Sequence, residues 1–498
     1  MLSLSFLFVL LVLIGLIYQY FKERNKAIHS AEVPAPEAKV IVGNLDRKLC
    51  ANRSRQFGKW AKELGPTFGY MEGALPVVVT DDLKILAQTF DKKFVHFHSR
   101  KESGIALEED LDESSILWSR SVKWRRLRNI VNQVFSEDNV HKLLIESDTN
   151  VRIAIDELKE NYKSTQISLF LQDLITSLLS QLILGYECKD FQSNIKQLNT
   201  PSSLNDLFKL AATSIPEIIP LTRFLWSCSK SFDSRSKVLE NISNSLLTAV
   251  GRAYDSSGNE EPLTLTKLLE NAEFRPDEDS LNFFGGEETC NDIKLSGEQI
   301  MQICLEFLEI GWVSLSESLK NLIALLASRP DIQDNIVAET SADGKSSEDL
   351  VNSLHKFLLL ESAIKEALRL FPVASDLQTR KCMFPCTAGT LKVGEAQCIA
   401  AHVGAIQRNP EIWGSDSNSF RPERFLEDHS TSQKQAWIPF GPIGAPRSCP
   451  AIDFAMRLEQ IILYHLLNNF SVLPPEDYQF DENSCDPPEP AGLTLRRR

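Results

Sequence analysis

The residue best placed to do chemistry in this sequence is Cys449. It closes the run Trp437-Ile438-Pro439-Phe440-Gly441-Pro442-Ile443-Gly444-Ala445-Pro446-Arg447-Ser448-Cys449 and stands before an apolar stretch that starts at Pro450. The Gly/Pro-rich run reads as a loop and the stretch after it as a helix, with Pro450 in the first turn, where a missing N–H costs nothing. A helix N-terminus and nearby loop amides favour a thiolate. Such a thiolate is either a metal ligand or a nucleophile. A nucleophile needs a histidine base, and none of the chain's 8 histidines adjoins Cys449 in sequence. A second group is Glu366-Ala-Leu-Arg369, whose carboxylate and guanidinium share one helix face and can pair. Arg424, in Phe420-Arg421-Pro422-Glu423-Arg424-Phe425, is placed to join them as a third, buried member.

The elements that must position these groups are mainly helical. An apolar helix from Ser296 to about Ser328 is announced by a Ser296/Gln299 capping box and stopped by Arg329-Pro330. A second helix is expected from about Ser353 to Phe371, stopped by Pro372, and 373–404 carries short strand-like pieces. Leu75 to Thr80 is a β-branched run and an expected strand; from about Leu83 most long segments read as helices. Segment 105–118 is acidic and irregular, 201–226 mixes apolar residues with prolines, and 254–295 reads as a long surface loop. For 201–226, a surface facing membrane or ligand and an ordinary helix–loop–helix on the core are both open.

The chain has 498 residues, 43% of them hydrophobic, and a net charge of −14, which argues against nucleic acid as a partner. Its 10 cysteines follow no regular pattern, and Cys382 and Cys386 lack a second Cys/His pair at zinc spacing. Leu2 to Phe21 is almost unbroken apolar sequence, long enough to span a bilayer, and Lys22, Arg24 and Lys26 follow it. Basic residues on that flank favour a cytoplasmic C-terminal side, so the run reads as a signal anchor with the remainder cytosolic. A cleaved signal peptide is the alternative, against which no small-x-small cleavage site follows the run. Sequons at Asn52, Asn241 and Asn469 should then stay unmodified. Pro34-Ala35-Pro36 reads as a stiff hinge, dividing a 1–33 anchor and flank from a 34–498 globular domain.

Glu366-x-x-Arg369, then Pro422-Glu423-Arg424-Phe425, then Ile438-Pro439-Phe440-Gly441 with Arg447-x-Cys449, in that order, resembles the cytochrome P450 family, and most resembles its microsomal, drug-metabolising branch. Trp124-Arg125-Arg126-Leu127-Arg128 is similar to the family's W-x-x-x-R helix. The resemblance implies a mainly α fold with a small β region, the cytochrome P450 fold, after an N-terminal transmembrane helix. It implies haem b (iron protoporphyrin IX) with Cys449 as axial ligand, Trp124, Arg128, Arg380 and Arg447 at the propionates, and Phe440 in the haem loop. Residues 105–118, 201–226 and Val373 to Leu377 would contact substrate. Lys123, Arg125 and Arg126 would lie on the helix that helps dock a reductase, or form a plain solvated face. NADPH–cytochrome P450 reductase, with cytochrome b5 as a possible second donor, is the implied electron source, and the endoplasmic reticulum membrane the implied location, single-pass with a cytosolic catalytic domain.

Two features depart from the family pattern. The loop from Phe440 to Cys449 spans nine positions, two more than usual, and the usual glycine two after the cysteine is Ala451. In the long helix the A-G-x-acid-Thr pattern is Ile310-Gly311-Trp312-Val313-Ser314, so the acid that helps protonate bound oxygen is Val313, while Ser314 keeps a hydroxyl. Glu309 and Glu317 lie one turn from Val313 and either could substitute, unless they face solvent or pair with a base such as Lys320. The expected activity is NADPH-dependent monooxygenation of a small apolar molecule, with Ser314 catalytic. A haem-thiolate isomerase or dehydratase of a peroxide, or a catalytically degenerate haem-binding protein, are the alternatives.

Overall fold

In the computed structural model the described residues are 2–25, 28, 32–39, 43–44, 53–73, 75–101, 114–163, 166–186, 193–194, 240–248, 263–275, 293–341, 346–476 and 492–498. Segment 201–226, residues 105–113, most of 254–295 and the Asn52 sequon lie outside them.

Helix dominates. The first helix, α1 (Leu2–Asn25), holds a stretch from Phe6 to Glu23 that is long and apolar enough to cross a membrane. After α2 (Arg53–Leu64), the hairpin β1 (Thr67–Glu72) and β2 (Leu75–Thr80) pairs antiparallel, with Thr67 opposite Thr80. The strand expected at Leu75 to Thr80 is thus present. Then come α3 (Ser121–Val134), α4 (Glu137–Asn161), α5 (Ile167–Leu184), α6 (Leu265–Asn271) and the long α7 (Gly297–Ala327). Helix α8 (Pro330–Thr340) starts on the proline that ends α7. Helix α9 (Leu358–Leu370) precedes β3 (Thr379–Lys381), β4 (Cys386–Ala388), β5 (Leu391–Val393) and β6 (Cys398–Ala401). The last helix, α10 (Ile452–Asn469), leads into β7 (Phe470–Leu473), which pairs with β8 (Thr494–Arg497).

The main sheet has the order β1-β2-β6-β3, with β2 and β6 parallel and Arg380 of β3 opposite Ile399 of β6. This places Arg380 on an edge strand of the sheet.

Helix α7 is 31 residues long, about 46 Å at ~1.5 Å per residue, and crosses the whole body. Ser296 and Gln299 form the expected capping box. Its C-terminal half (Leu319, Leu322 to Ala327) is fully buried against α5, α9 and α10. Helix α5 is also apolar enough to pass as a membrane span, but more than half of it is buried in the core.

Two helix expectations are corrected. The helix expected from Ser353 is broken at Phe357, whose backbone (φ −84°, ψ 68°) is not helical; a short 3-10 turn Leu354–Lys356 precedes α9. Pro450 lies outside α10, which is capped by Ala451 in a non-helical conformation and starts at Ile452.

Candidate active site

The haem-loop sequence folds as a chain of tight turns. Gly441 and Gly444 take positive φ (87° and 78°), and the Cys449 N–H donates to the Phe440 carbonyl at 3.0 Å, closing the loop on itself. The two additional residues are absorbed here without a break, and Ile443 at the loop's tip is exposed. A β-carbon at Gly441 would stand 3.1 Å from Gln378 Oε1, so space as well as φ calls for glycine.

The scaffold behind this loop is a buried ion network. Arg369 donates from Nε and Nη2 to the two oxygens of Glu366 at 2.6 and 2.8 Å, and both side chains are fully buried. Arg424 reaches Glu366 Oε1 at 3.3 Å from a 3-10 turn (Pro422–Leu426), as expected from sequence. The Arg421 N–H adds a further bond to the same oxygen at 3.1 Å. Four donors on one carboxylate are what a buried charge requires.

Cys449 opens onto a cavity lined mostly by apolar side chains. Its roof is α7 (Phe307, Ile310, Gly311, Ser314, Leu315), and its walls include Leu179, Ile183, Ile116, Leu117, Val373, Ala374 and Leu377. Val373, Ala374 and Leu377 line it, as expected, and from the acidic irregular segment Ile116 and Leu117 do.

Beside Cys449 the chain buries four arginines. Arg380 and Arg447 are 1% and 3% exposed, and Arg100 and Arg128 are partly buried; each has a buried Nε with no hydrogen-bond partner among the described residues. The hydrogen bonds they make run to backbone carbonyls. Arg128 donates to Ser448, Arg100 to Arg447 at 3.1 Å, Arg380 to Thr379 at 2.8 Å, and Arg447 to Leu117 and Ser119. Arg447 also lies over the Trp124 ring at 4.4 Å and Arg380 over Phe90 at 4.2 Å. Burial, then mutual repulsion, holds Arg380 and Arg447 well below the usual guanidinium range; Arg100 and Arg128 fall to about 10. Of the five expected cofactor-contacting side chains other than the cysteine, Trp124, Arg128, Phe440 and Arg447 line the cavity and Arg380 does not. Arg100 was not anticipated.

The expected preference for a thiolate is not met by the protein alone. Burial pushes the Cys449 thiol up, and the Ala451 N–H with the Arg128 and Arg100 guanidiniums only partly opposes this. A thiol so placed becomes a thiolate when a metal takes its sulfur.

Helix α7 runs unbroken through Ile310 to Leu315. Ser314 faces the cavity, whereas Val313 does not line it. Glu317 is held by Lys320 at 3.0 Å, the alternative foreseen for it, and neither it nor Glu309 lines the cavity. Two unforeseen acids do. Glu306, pushed up to about 7 by burial, accepts from the Ile116 and Leu117 amides at 3.0 and 3.3 Å and ties α7 to that wall. Glu459 of α10, pushed up to about 8 by burial, faces Ser318 of α7. Both were findable: Glu306, Ile310, Ser314 and Ser318 fall at i, i+4 spacing along one face, as do Ala451, Ala455 and Glu459. Finally, Arg126 cannot form a docking face, because it is buried and donates to the Lys294 carbonyl and to Gln299 Oε1 at 3.2 Å.

The cytochrome P450 family model matches residues 33–495. The chain is similar to putative cytochrome P450 cyp-13B1 of Caenorhabditis elegans, 26% identical over 98% of each chain. It is also similar to putative cytochromes P450 CYP13A3 (26% identical, 84% of this chain and 83% of the relative) and CYP13A10 (24%, 91% and 90%) from the same organism.

Proposed function

Because the chain belongs to the cytochrome P450 family, we propose that it is a membrane-anchored haem-thiolate monooxygenase that oxidises a small apolar substrate. The observation that carries this is a set of four arginines with a buried, unmet Nε–H each, three of which (Arg100, Arg128 and Arg447) line the same apolar cavity as Cys449. Buried cations without carboxylate partners demand an anionic ligand. A flat cofactor with two carboxylates and a metal centre meets that demand and supplies the thiol with its partner, so the residues fit haem b.

In this reading Cys449 holds the iron, Trp124, Arg128, Arg380 and Arg447, with Arg100 added, hold the propionates, and Phe440 packs within the haem loop. Thiolate-ligated haem iron supplies reductive activation of dioxygen, the thiolate favouring O–O cleavage. The protein's own work is threefold. Glu366, Arg369 and Arg424 fix the segment that carries the loop. Ile116, Leu117, Leu179, Ile310 and Val373 exclude water and take up an apolar substrate. Ser314 presents a hydroxyl to the reacting oxygen.

Electrons would come from NADPH through NADPH–cytochrome P450 reductase, with cytochrome b5 as a second donor. Residues 1–33 would anchor the chain by a single pass in the endoplasmic reticulum membrane, and 34–498 would form the cytosolic catalytic domain.

Val313 in place of an acid favours a second reading, isomerisation or dehydration of a peroxide without a reductase. Turnover with labelled dioxygen, NADPH and a flavin reductase over a panel of apolar compounds separates the two. Label in the product, with matching NADPH use, supports the monooxygenase. Conversion of a lipid peroxide without NADPH supports the other. Ser314→Ala should lower product formed per NADPH; unchanged coupling would remove Ser314 from the mechanism.

A further inference from the structure

The roof helix α7 carries a polar file through an otherwise apolar interface. Ser314, Ser318 and Asn321 follow at i, i+4 and i+7, so they share one face. Ser318 and Asn321 are 4% and 3% exposed, and across from them Glu459 of α10 is 3% exposed. Glu459 Oε2, Ser318 Oγ and Asn321 Oδ1 have no hydrogen-bond partner among the described residues. A carboxyl and a hydroxyl buried side by side with bonds unmet, Asn321 following on the same helix face, form a seat for ordered water. Ser314, Ser318 and Glu459 also line the cavity that holds Cys449.

We propose that Glu459 is the proton-supplying acid of this chain, acting through Ser318, one or more bound waters and Ser314, in place of the acid lost at Val313. Serine hydroxyls one helical turn apart are ~5–6 Å apart at Cβ, a gap that one water bridges. In each transfer the Glu459 carboxyl gives its proton to Ser318 or its water, each hydroxyl passes on its own, and Ser314 delivers one to the reacting oxygen. Glu459 is left as carboxylate and recovers a proton from solvent before the next cycle. No electrons move along the file. A donor must be protonated at neutral pH, and burial provides for that, pushing Glu459 up to about 8 against only the Ser318 hydroxyl; among the described residues no charged group acts on it. Glu317, the nearer acid in sequence, is held by Lys320.

The inference rests on the haem-thiolate reading, and its first test does not. Infrared difference spectra of the full-length protein as purified should show, besides the contribution of Glu306, a protonated-carboxyl band at pH 7 that titrates near pH 8 and is missing in Glu459→Gln. If that band persists in Glu459→Gln, Glu459 is not the protonated acid and the proposal fails, whatever the cofactor does. The second test reads the hydrogen peroxide released per dioxygen consumed, with a photoexcited flavin as electron donor. Glu459→Gln and Ser318→Ala should each raise that fraction at least about threefold, with the carbon monoxide spectrum unchanged and Glu459→Asp partly restoring the wild-type value. Should Glu459→Gln fold poorly, Ser318→Ala alone decides. Unchanged peroxide release in a variant with an intact carbon monoxide spectrum overturns the relay. A wild-type protein lacking that spectrum overturns the haem reading instead.

Discussion

Removing one of the buried arginines should have opposite effects on the two forms of the protein. Arg100 is the best choice, because burial and the neighbouring Arg128 hold it from its ordinary 12.5 down to about 10. At about 1.4 kcal/mol for each tenfold, that is a cost of about 3 kcal/mol to the haem-free fold. The cost is present at every pH below about 10 and is relieved only as the group loses its proton above that. Arg100→Met keeps the aliphatic stem, removes the charge and loses one hydrogen bond to the Arg447 carbonyl, worth about 1 kcal/mol. The haem-free variant should therefore be more stable by about 2 kcal/mol. For a chain of this length that is a rise of about 2 °C in Tm by circular dichroism, taking ~2 cal/mol/K per residue for the unfolding entropy. The haem-loaded variant should lose a buried charge pair instead, and its haem affinity, by competition with a haem-scavenging globin, should fall about 10- to 100-fold. Equal destabilisation of both forms would refute the reasoning: Arg100 would then act by packing alone, and the cluster would not be waiting for an anion.

Glu366→Gln should destabilise the protein by about 3–5 kcal/mol, since it strands the Arg369 charge in the interior while Arg424 keeps Asp416, and thermal unfolding would show it. Gly441→Ala should lower haem occupancy, read as the Soret-to-protein absorbance ratio, because φ +87° and Gln378 at 3.1 Å both resist a methyl group. Glu459 binds its proton more tightly folded than unfolded, so its contribution is full below about pH 4.5 and declines as pH rises towards about 8. Urea titrations should find about 3 kcal/mol lost between pH 4.5 and 7 from this group, and Glu459→Gln should flatten that part of the profile.

Features held by local rules were legible in the sequence. The Ser296/Gln299 capping box, the Arg329-Pro330 stop, the β-branched Leu75–Thr80 strand and the Glu366/Arg369 pair each depend on local sequence, and each is found, while the fold brings Arg424 to the pair from 58 positions away. The break at Phe357 and the delayed start of α10 depend on tertiary packing, which moves helix ends by a few residues. Arg126 read as surface because basic residues usually are; only the fold brings the Lys294 carbonyl to it. Arg100, Glu306 and Glu459 escaped notice for a related reason. Each belongs to no motif, and what distinguishes it is burial beside groups 170 or more positions away in some cases, such as Arg100 and Arg447 or Glu306 and Ile116. The helical periodicity of Glu306, Ile310, Ser314 and Ser318 was available, and it marks the cavity face once α7 is known to roof a cavity.

Ligation of haem iron by Cys449 is tested most directly by the absorption spectrum of the purified protein, reduced with dithionite and exposed to carbon monoxide, beside Cys449→Ala. A strongly red-shifted Soret band that disappears in the variant is the predicted result. A protein that takes up no haem, or a band that the substitution leaves in place, would contradict the assignment of Cys449 and with it the monooxygenase.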